Sequence, residues 1–282
     1  MSMLLPTTNF FGTQVTKVII GDNPMTGHSY IQDRITGEEM ASYYTQEKVI
    51  EALFTAVDAG FNTLLPLACP KMIAALKEFR RLGGKMNLVF QPYPAHGLAQ
   101  NIEEMMACDP IAIYHQGTTT DYLTETDQVA KIHENMKLLH ATGLPIGLAT
   151  HVPATVRRAE EEDWGVDFYM FCLYNARRNR LGEPSGFITG KTKADLVFCP
   201  DDRFDAYEVI KSVQKPFIAY KVFAGGQIFT GFKPEEYPAV AEKYMKELFG
   251  VLKPTDVCCI GVLQRDFDQL RQNAEIARRL LA

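Results

Sequence analysis

The chain has 282 residues, of which 46% are hydrophobic and 22% charged, and its net charge is −5. That is the composition of a folded globular protein and excludes a disordered or fibrous chain. Beyond Arg177, Arg178 and Arg180 there is no basic cluster, which argues against nucleic acid as a partner, and no window reaches the roughly 18 apolar residues of a membrane span.

Short apolar runs alternate with stretches of helical period along the whole chain. The first strand is expected at residues 15–20 (VTKVII), and a helix opens at Thr45 and stops at Gly60, a residue suited to a left-handed cap. FNTLLPLA (61–68) is the second strand, with a helix from Lys71 to the Gly83–Gly84 pair. MNLVFQ (86–91) precedes a short helix over 98–107, and IAIYHQ (111–116) precedes a long helix expected over 125–141. PIGLAT (145–150) is followed by a helix over 155–162, and VDFYMFCLY (166–174) by a helix over 205–213. PFIAYKVF (216–223) leads to a helix over 237–249, and VCCIGVL (257–263) to a last helix over 268–281.

Each return to a parallel neighbour requires a crossover helix, so this order predicts a parallel sheet. Eight such units are the number that closes a TIM (β/α)8 barrel, here one domain spanning residues 1–282. Two long connections, at about 24–44 and 177–204, suit lids or a homo-oligomer contact.

The six cysteines, Cys69, Cys108, Cys172, Cys199, Cys258 and Cys259, form no CxxC pair and point to the reducing cytosol. The first residues, MSMLLPTTNFFGTQ, lack the basic and long apolar regions of a signal peptide. A cytoplasmic protein with a small-molecule partner, and neither membrane nor nucleic acid, is expected.

In barrels of this kind chemistry sits at the carboxyl ends of the strands. That end holds Asp22 and Asn23 after strand one, Gln91 after strand three, His115 after strand four and His151 after strand five. It also holds Tyr174, Asn175 and Arg177 after strand six, Lys221 on strand seven and Arg265 after strand eight.

Alternation in PFIAYKVF is expected to turn Ala219 and Lys221 into the barrel and Ile218 and Tyr220 toward the helices. A lysine there is a candidate base, carbonyl-polarising cation or Schiff-base amine, or else the partner of Asp22 in an ion pair. His115 and His151 are candidates for a shared divalent metal or for acid and base. Asp22, Asn23, Gln91, Tyr174 and Asn175 are candidates to orient a substrate, and Arg177 or Arg265 to neutralise its charge. Gly225 and Gly226 mark either an anion site or a tight turn. The expected chemistry is proton transfer of a lyase or isomerase on a small polar carbonyl or sugar-like metabolite; the rivals are an NADP(H)-dependent reductase and a ligand-binding barrel without catalysis.

The segment IAYKVFAGGQIFTG is similar to the seventh-strand segment of the aldo/keto reductases, which reads like IAYSPLAGGLLTG. DQLRQNAEIARRL resembles the reductase segment that contacts the adenosine end of NADPH, with Gln269 and Asn273 at the matching places. AVDAGFNTLL and VDFYMFCLYNARR resemble the second- and sixth-strand segments. The resemblance implies a barrel and an NADP(H) site. The reductase tetrad departs from it: Leu65 stands for the Asp, Cys69 and Pro70 lie where the Tyr belongs, Gln91 is near the Lys position, and His115 alone matches. Lys221 replaces the seventh-strand Ser. GDNPMTGHSY, with YHQG and ATHVP, resembles a GGNPFSGFSH-type segment in a group of uncharacterised bacterial barrel proteins.

Overall fold

The computed structural model describes residues 3–178, 180–184 and 196–282. The chain begins with an antiparallel hairpin, β1 (Thr7–Phe10) and β2 (Thr13–Thr16), absent from the sequence-based expectation. Its two-residue turn places Phe11 at φ 48 and Gly12 at φ 87, as a tight hairpin turn requires. The expected first strand is therefore two: residues 13–16 close the hairpin, and only β3 (Val18–Gly21) enters the barrel.

The barrel strands follow as β4 (Thr63–Leu65), β5 (Asn87–Phe90), β6 (Ala112–His115), β7 (Ile146–Thr150), β8 (Phe168–Cys172), β9 (Phe217–Tyr220) and β10 (Val257–Gly261). They pair in parallel in that order, and β10 returns to β3, with Cys258 opposite Val18, to close the sheet. The TIM-barrel expectation holds.

Helices α1 (Gly37–Tyr43) and α2 (Gln46–Ala59) follow β3, and α3 (Pro70–Arg81) and α4 (Leu98–Met106) follow β4 and β5. After β6 come α5 (Gly117–Glu125) and α6 (Val129–His140), after β7 comes α7 (Pro153–Glu161), then α8 (Asp202–Ser212), α9 (Tyr237–Phe249) and α10 (Gln269–Leu281). Thr45 caps α2 through its side chain, and Gly60 ends it at φ 98. The first long connection contains α1, started by a reciprocal cap between Thr36 and Glu39. The helix expected over 125–141 is α6 and starts at Val129, because Asp127 takes a left-handed conformation (φ 56) ahead of it; α5, before it, is absent from the sequence-based expectation. Of the second connection, residues 179 and 185–195 lie outside the described residues. Among the described residues no helix is long and apolar enough to cross a membrane, and the six cysteines are free.

Two apolar layers sandwich the strands. Ile19, Leu65, Val89, Ala149, Ile218 and Val257 fill the barrel interior. Ile20, Leu88, Ile113, Leu148, Phe171 and Ala219 face outward to the helices. Phe10 of the hairpin packs edge-on against Phe168, at the amino end of β8, with ring centroids 5.1 Å apart, and so plugs the floor. Phe10→Ala should cost about 3–5 kcal/mol through the cavity it leaves; urea unfolding checks this, and a loss under about 1 kcal/mol would mean the plug is dispensable.

Candidate active site

With the floor plugged, access is from the carboxyl ends of the strands, where a cavity of about 390 Å³ opens. Its lining includes Asp22, Asn23, Gln91, His151, Lys221 and Arg177, and also Arg265, Gly225, Gly226, Gln269 and Asn273.

The inward phase of β9 is the opposite of the expected one. Ile218 and Tyr220 point into the barrel, and Ala219 packs among the helices. Strict alternation would then send Lys221 outward. Instead its backbone turns left-handed at φ 59 as the strand ends, and its side chain joins the cavity lining. Lys221 Nζ donates to the Tyr30 hydroxyl at 3.0 Å and lies 4.1 Å from the centre of that ring. Asn23 Nδ2 donates to the same hydroxyl at 3.1 Å. Burial works against the Lys221 charge; Tyr30, Cys172 and Cys259 work for it, and the balance lies above the ordinary lysine value. That direction favours the ammonium, the form a carbonyl-polarising cation requires.

The expected Lys221–Asp22 ion pair is absent: Tyr30 is the partner of Lys221, and Asp22 Oδ2 accepts from the Leu67 backbone N–H at 2.7 Å. Burial pushes the Asp22 carboxyl up to about 7, against the hydrogen bond from Leu67. A buried carboxyl with that value holds and releases a proton near neutrality.

Because Tyr220 faces inward, it meets His151. The His151 ring Nε2 lies 2.9 Å from the Tyr220 hydroxyl, and Nδ1 lies 2.7 Å from Asp121 Oδ2. Asp121 is fully buried on α5, and its other oxygen accepts from the Thr150 hydroxyl at 2.6 Å and the His151 N–H at 3.2 Å. The carboxylate assigns the proton to Nδ1, which leaves Nε2 to accept from the phenol. Burial holds the His151 ring below the ordinary imidazole value, against the opposing pull of Asp121, so the ring is neutral at neutral pH. Burial also holds Tyr220 well above the ordinary phenol value. The three side chains form one hydrogen-bonded line that ends in the cavity. Gly117, the first residue of α5, lies against it: a Cβ there would touch both the His151 ring and the Tyr220 oxygen at 3.4 Å.

His115 does not join this line. It lies on the outward side of β6, with Nδ1 2.7 Å from the Thr120 hydroxyl and Nε2 3.1 Å from Asn135 Nδ2, and burial lowers it to about 4. The expectation that His115 and His151 share a metal is corrected by that orientation, since both nitrogens of each ring are engaged elsewhere. Among the described residues no group of three or more His, Cys, Asp or Glu is placed to hold a metal ion.

Tyr174 is buried among apolar side chains, and the Asn175 N–H donates to Asp202 Oδ2 at 3.0 Å; neither lines the cavity. Arg177 lines it but is bound to Glu125, with Nε 2.8 Å from Oε1, and also donates to the Glu183 carbonyl at 2.9 Å. Arg265 Nε donates to Asp266 Oδ1 at 2.9 Å. The two arginines expected to neutralise a substrate therefore already have carboxylates. Gln91 accepts from the Tyr114 hydroxyl at 3.1 Å inside the cavity.

The Gly225–Gly226 pair is a tight turn, with φ 60 and 99. The N–H groups of Ala224 and Gly226 are spent on the carbonyls of Lys221 and Phe223. A Cβ on Gly225 would stand 2.6 Å from the Tyr30 ring, so the glycine serves the packing of Tyr30. Gln269 Oε1 accepts from the Leu263 N–H at 2.9 Å, whereas the buried Asn273 Oδ1 has no partner among the described residues. A dinucleotide would find one unpartnered amide here and no phosphate cradle at the glycine turn, so these residues do not fit NADP(H) held in the reductase manner.

No family model matches this chain, and no curated protein matches it. Solved structures do. An aldo-keto reductase from Bacillus halodurans superposes with a TM-score of 0.59 at 10% identity, covering 99% of this chain and 95% of that one. The likeness is one of fold, a closed (β/α)8 barrel. An aldo-keto reductase from Klebsiella pneumoniae, in complex with NADPH, gives 0.55 at 14% identity over 98% of this chain and 90% of that one. A truncated 3-deoxy-D-arabino-heptulosonate 7-phosphate synthase from Thermotoga maritima gives 0.57 at 10% identity over 99% and 91%. The residues that the sequence resemblance sets against the reductase tetrad are placed as follows in this structure. Leu65 and Gln91 line the cavity, Cys69 is the residue before α3, and His115 faces the helices.

Proposed function

We propose that this barrel is an enzyme that transfers protons on a small hydroxy-carbonyl, sugar-like metabolite, as a lyase or an isomerase. The observation that carries this reading is the Asp121–His151–Tyr220 line ending in the same cavity as the Asp22 carboxyl. The line is the base half. The Tyr220 oxygen takes a proton from the substrate as its own proton passes to His151 Nε2, and Asp121 stabilises the imidazolium so formed. Asp22, protonated, is the acid half. In an isomerase the broken bond is C–H, in a lyase it is C–C next to a hydroxyl. In both, the electron pair moves toward the carbonyl oxygen, which takes the Asp22 proton. Asn23 and Gln91 orient the substrate within this reading. Lys221, catalytic in the sequence-based expectation, contributes a fixed positive charge beside the reacting atoms. The setting is the cytoplasm, the partner a small molecule, and a homo-oligomer is compatible with this reading.

The test is solvent isotope exchange. The protein is incubated in D2O with a panel of small hydroxy-aldehydes, hydroxy-ketones and 2-oxo acids, and the products are followed by NMR. Deuterium next to a carbonyl, or a cleaved pair of products, is expected with the parent and should be lost in Tyr220→Phe. Equal exchange by Tyr220→Phe, or none with the parent across the panel, would reject the reading.

A further inference from the structure

Among the described residues no Asp or Glu oxygen lies within 4.0 Å of the buried Lys221 Nζ, while three of the other four Lys and Arg side chains that line the cavity have one: Arg177 has Glu125, Arg180 has Glu183 and Arg265 has Asp266. The fourth, Arg34, donates to the Phe229 carbonyl at 3.1 Å. The surroundings of Lys221 are aromatic, with Nζ 4.1, 5.3 and 5.5 Å from the ring centres of Tyr30, Tyr220 and Phe198. Ring faces offset only part of the hydration an ammonium gives up on burial. An ammonium carries three donors, and Tyr30 takes one. Among the described residues no other acceptor is bonded to it, so two N–H groups are left for a ligand, on the side of the Tyr220 ring.

We infer that the substrate is a monocarboxylate, a small hydroxy- or oxo-acid, and that its carboxylate binds the Lys221 ammonium between Tyr30 and Tyr220. This deepens the proton-transfer reading and rests on the same cavity. The anion is a carboxylate rather than a phosphate because the two usual phosphate positions of a barrel are closed. At the seventh loop the N–H groups of Ala224 and Gly226 are consumed, and Tyr30 and Ile31 cover the glycines. At the eighth, the first N–H groups of α10 are taken by side chains of this chain: Gln264 Oε1 accepts from Leu270 at 3.0 Å, and Asp268 Oδ1 accepts from Arg271 at 3.0 Å. One point charge with two donors suits a carboxylate.

The left-handed turn at Lys221 acquires a purpose in this arrangement. A non-glycine residue at φ 59 is strained, and here the turn redirects a cation that has no carboxylate partner among the described residues from the helix layer into the cavity.

Calorimetric titration with three probes tests this: pyruvate as the 2-oxo carboxylate, dihydroxyacetone as a neutral hydroxy-ketone, and inorganic phosphate. Pyruvate should bind, and its dissociation constant should rise about 30-fold or more in Lys221→Met, as expected when a buried charge partner is removed. Tyr30→Phe, which keeps the cation and frees its third donor, should bind pyruvate at least as well as the parent. Circular dichroism melting of both variants guards against misfolding, and Tyr30→Phe alone still decides the matter if Lys221→Met does not fold. Pyruvate binding unchanged by Lys221→Met, weakened by Tyr30→Phe, or matched by phosphate would overturn the inference. Failure here is separable from failure of the proton-transfer reading. Lys221-dependent pyruvate binding without isotope exchange supports the carboxylate site and rejects the acid–base chemistry. Isotope exchange confined to neutral sugar-like compounds, and indifferent to Lys221→Met, does the reverse.

Discussion

Asp121→Asn is expected to lower turnover of the identified substrate by about 10²–10⁴-fold, the range set by losing a positioned base. The cause is the proton on His151. The carboxylate accepts from Nδ1, which reserves Nε2 for the Tyr220 hydroxyl. An amide presents N–H to Nδ1 as readily as it presents oxygen, so the other tautomer becomes available, and Nε2 then donates to the phenol instead of accepting from it. The line is intact in outline but runs the wrong way. The pH profile separates this from a packing defect. Asp121 pulls the His151 value up while burial pushes it down, so removing the carboxylate lets burial win by more. The acid limb of kcat/KM should therefore move to lower pH in Asp121→Asn, with residual activity on its plateau. A structural defect would lower the whole profile without moving that limb. Thr150 and the His151 N–H, which donate to the other Asp121 oxygen, still find an acceptor in the amide oxygen.

The closed barrel was legible because eight apolar runs separated by helical stretches leave few other ways to bury both faces. The inward phase was not, and for the same reason. When both faces of a strand are covered, Ile218 and Ala219 are equally apolar choices, and alternation carries no contrast between them. That inversion hid Tyr220, and with it the partner of His151. Asp121 was hidden differently. It sits in the polar stretch GTTTDYLTE, which looks like a solvated face, yet its burial comes from the tertiary contact of α5 with the end of β7. Lys221 was found by its type and place, although the alternation argument used to aim it was inverted; its position depends on a backbone dihedral that no side-chain pattern records. Arg177 was found at the mouth but not its carboxylate, since Glu125 is 52 residues away in the chain, whereas the partner of Arg265 is its neighbour Asp266. The hairpin plug was missed because Phe10 and Phe11 precede the first apolar run and look like a loose end.

Asp22→Asn should change how stability depends on pH, by an amount large for a single side chain. In the folded chain burial lifts the carboxyl from its ordinary 3.8 to about 7. Below about 4 it is protonated whether the chain is folded or not, and folding is not penalised. As pH rises from about 4 to about 7 the unfolded chain releases the proton while the folded chain keeps it, so stability falls with pH. Above about 7 the folded chain carries a buried carboxylate, and the full penalty is present, about 4 kcal/mol for this displacement. Asp22 is 5% exposed, so little solvent screening reduces that figure. Asparagine never ionises, and its amide oxygen can accept from the Leu67 N–H as Oδ2 does now. The stability of the variant relative to the parent should therefore increase by about 4 kcal/mol between pH 4 and pH 8, read from urea unfolding at each pH. A constant difference across that range would mean Asp22 ionises as an exposed carboxyl does, and the acid half of the mechanism would fall with it. The same proton ties stability to activity: kcat/KM should decline above about pH 7, where Asp22 loses what it donates, and the chain keeps this carboxyl buried at a cost to folding that a well-packed apolar side chain would not impose.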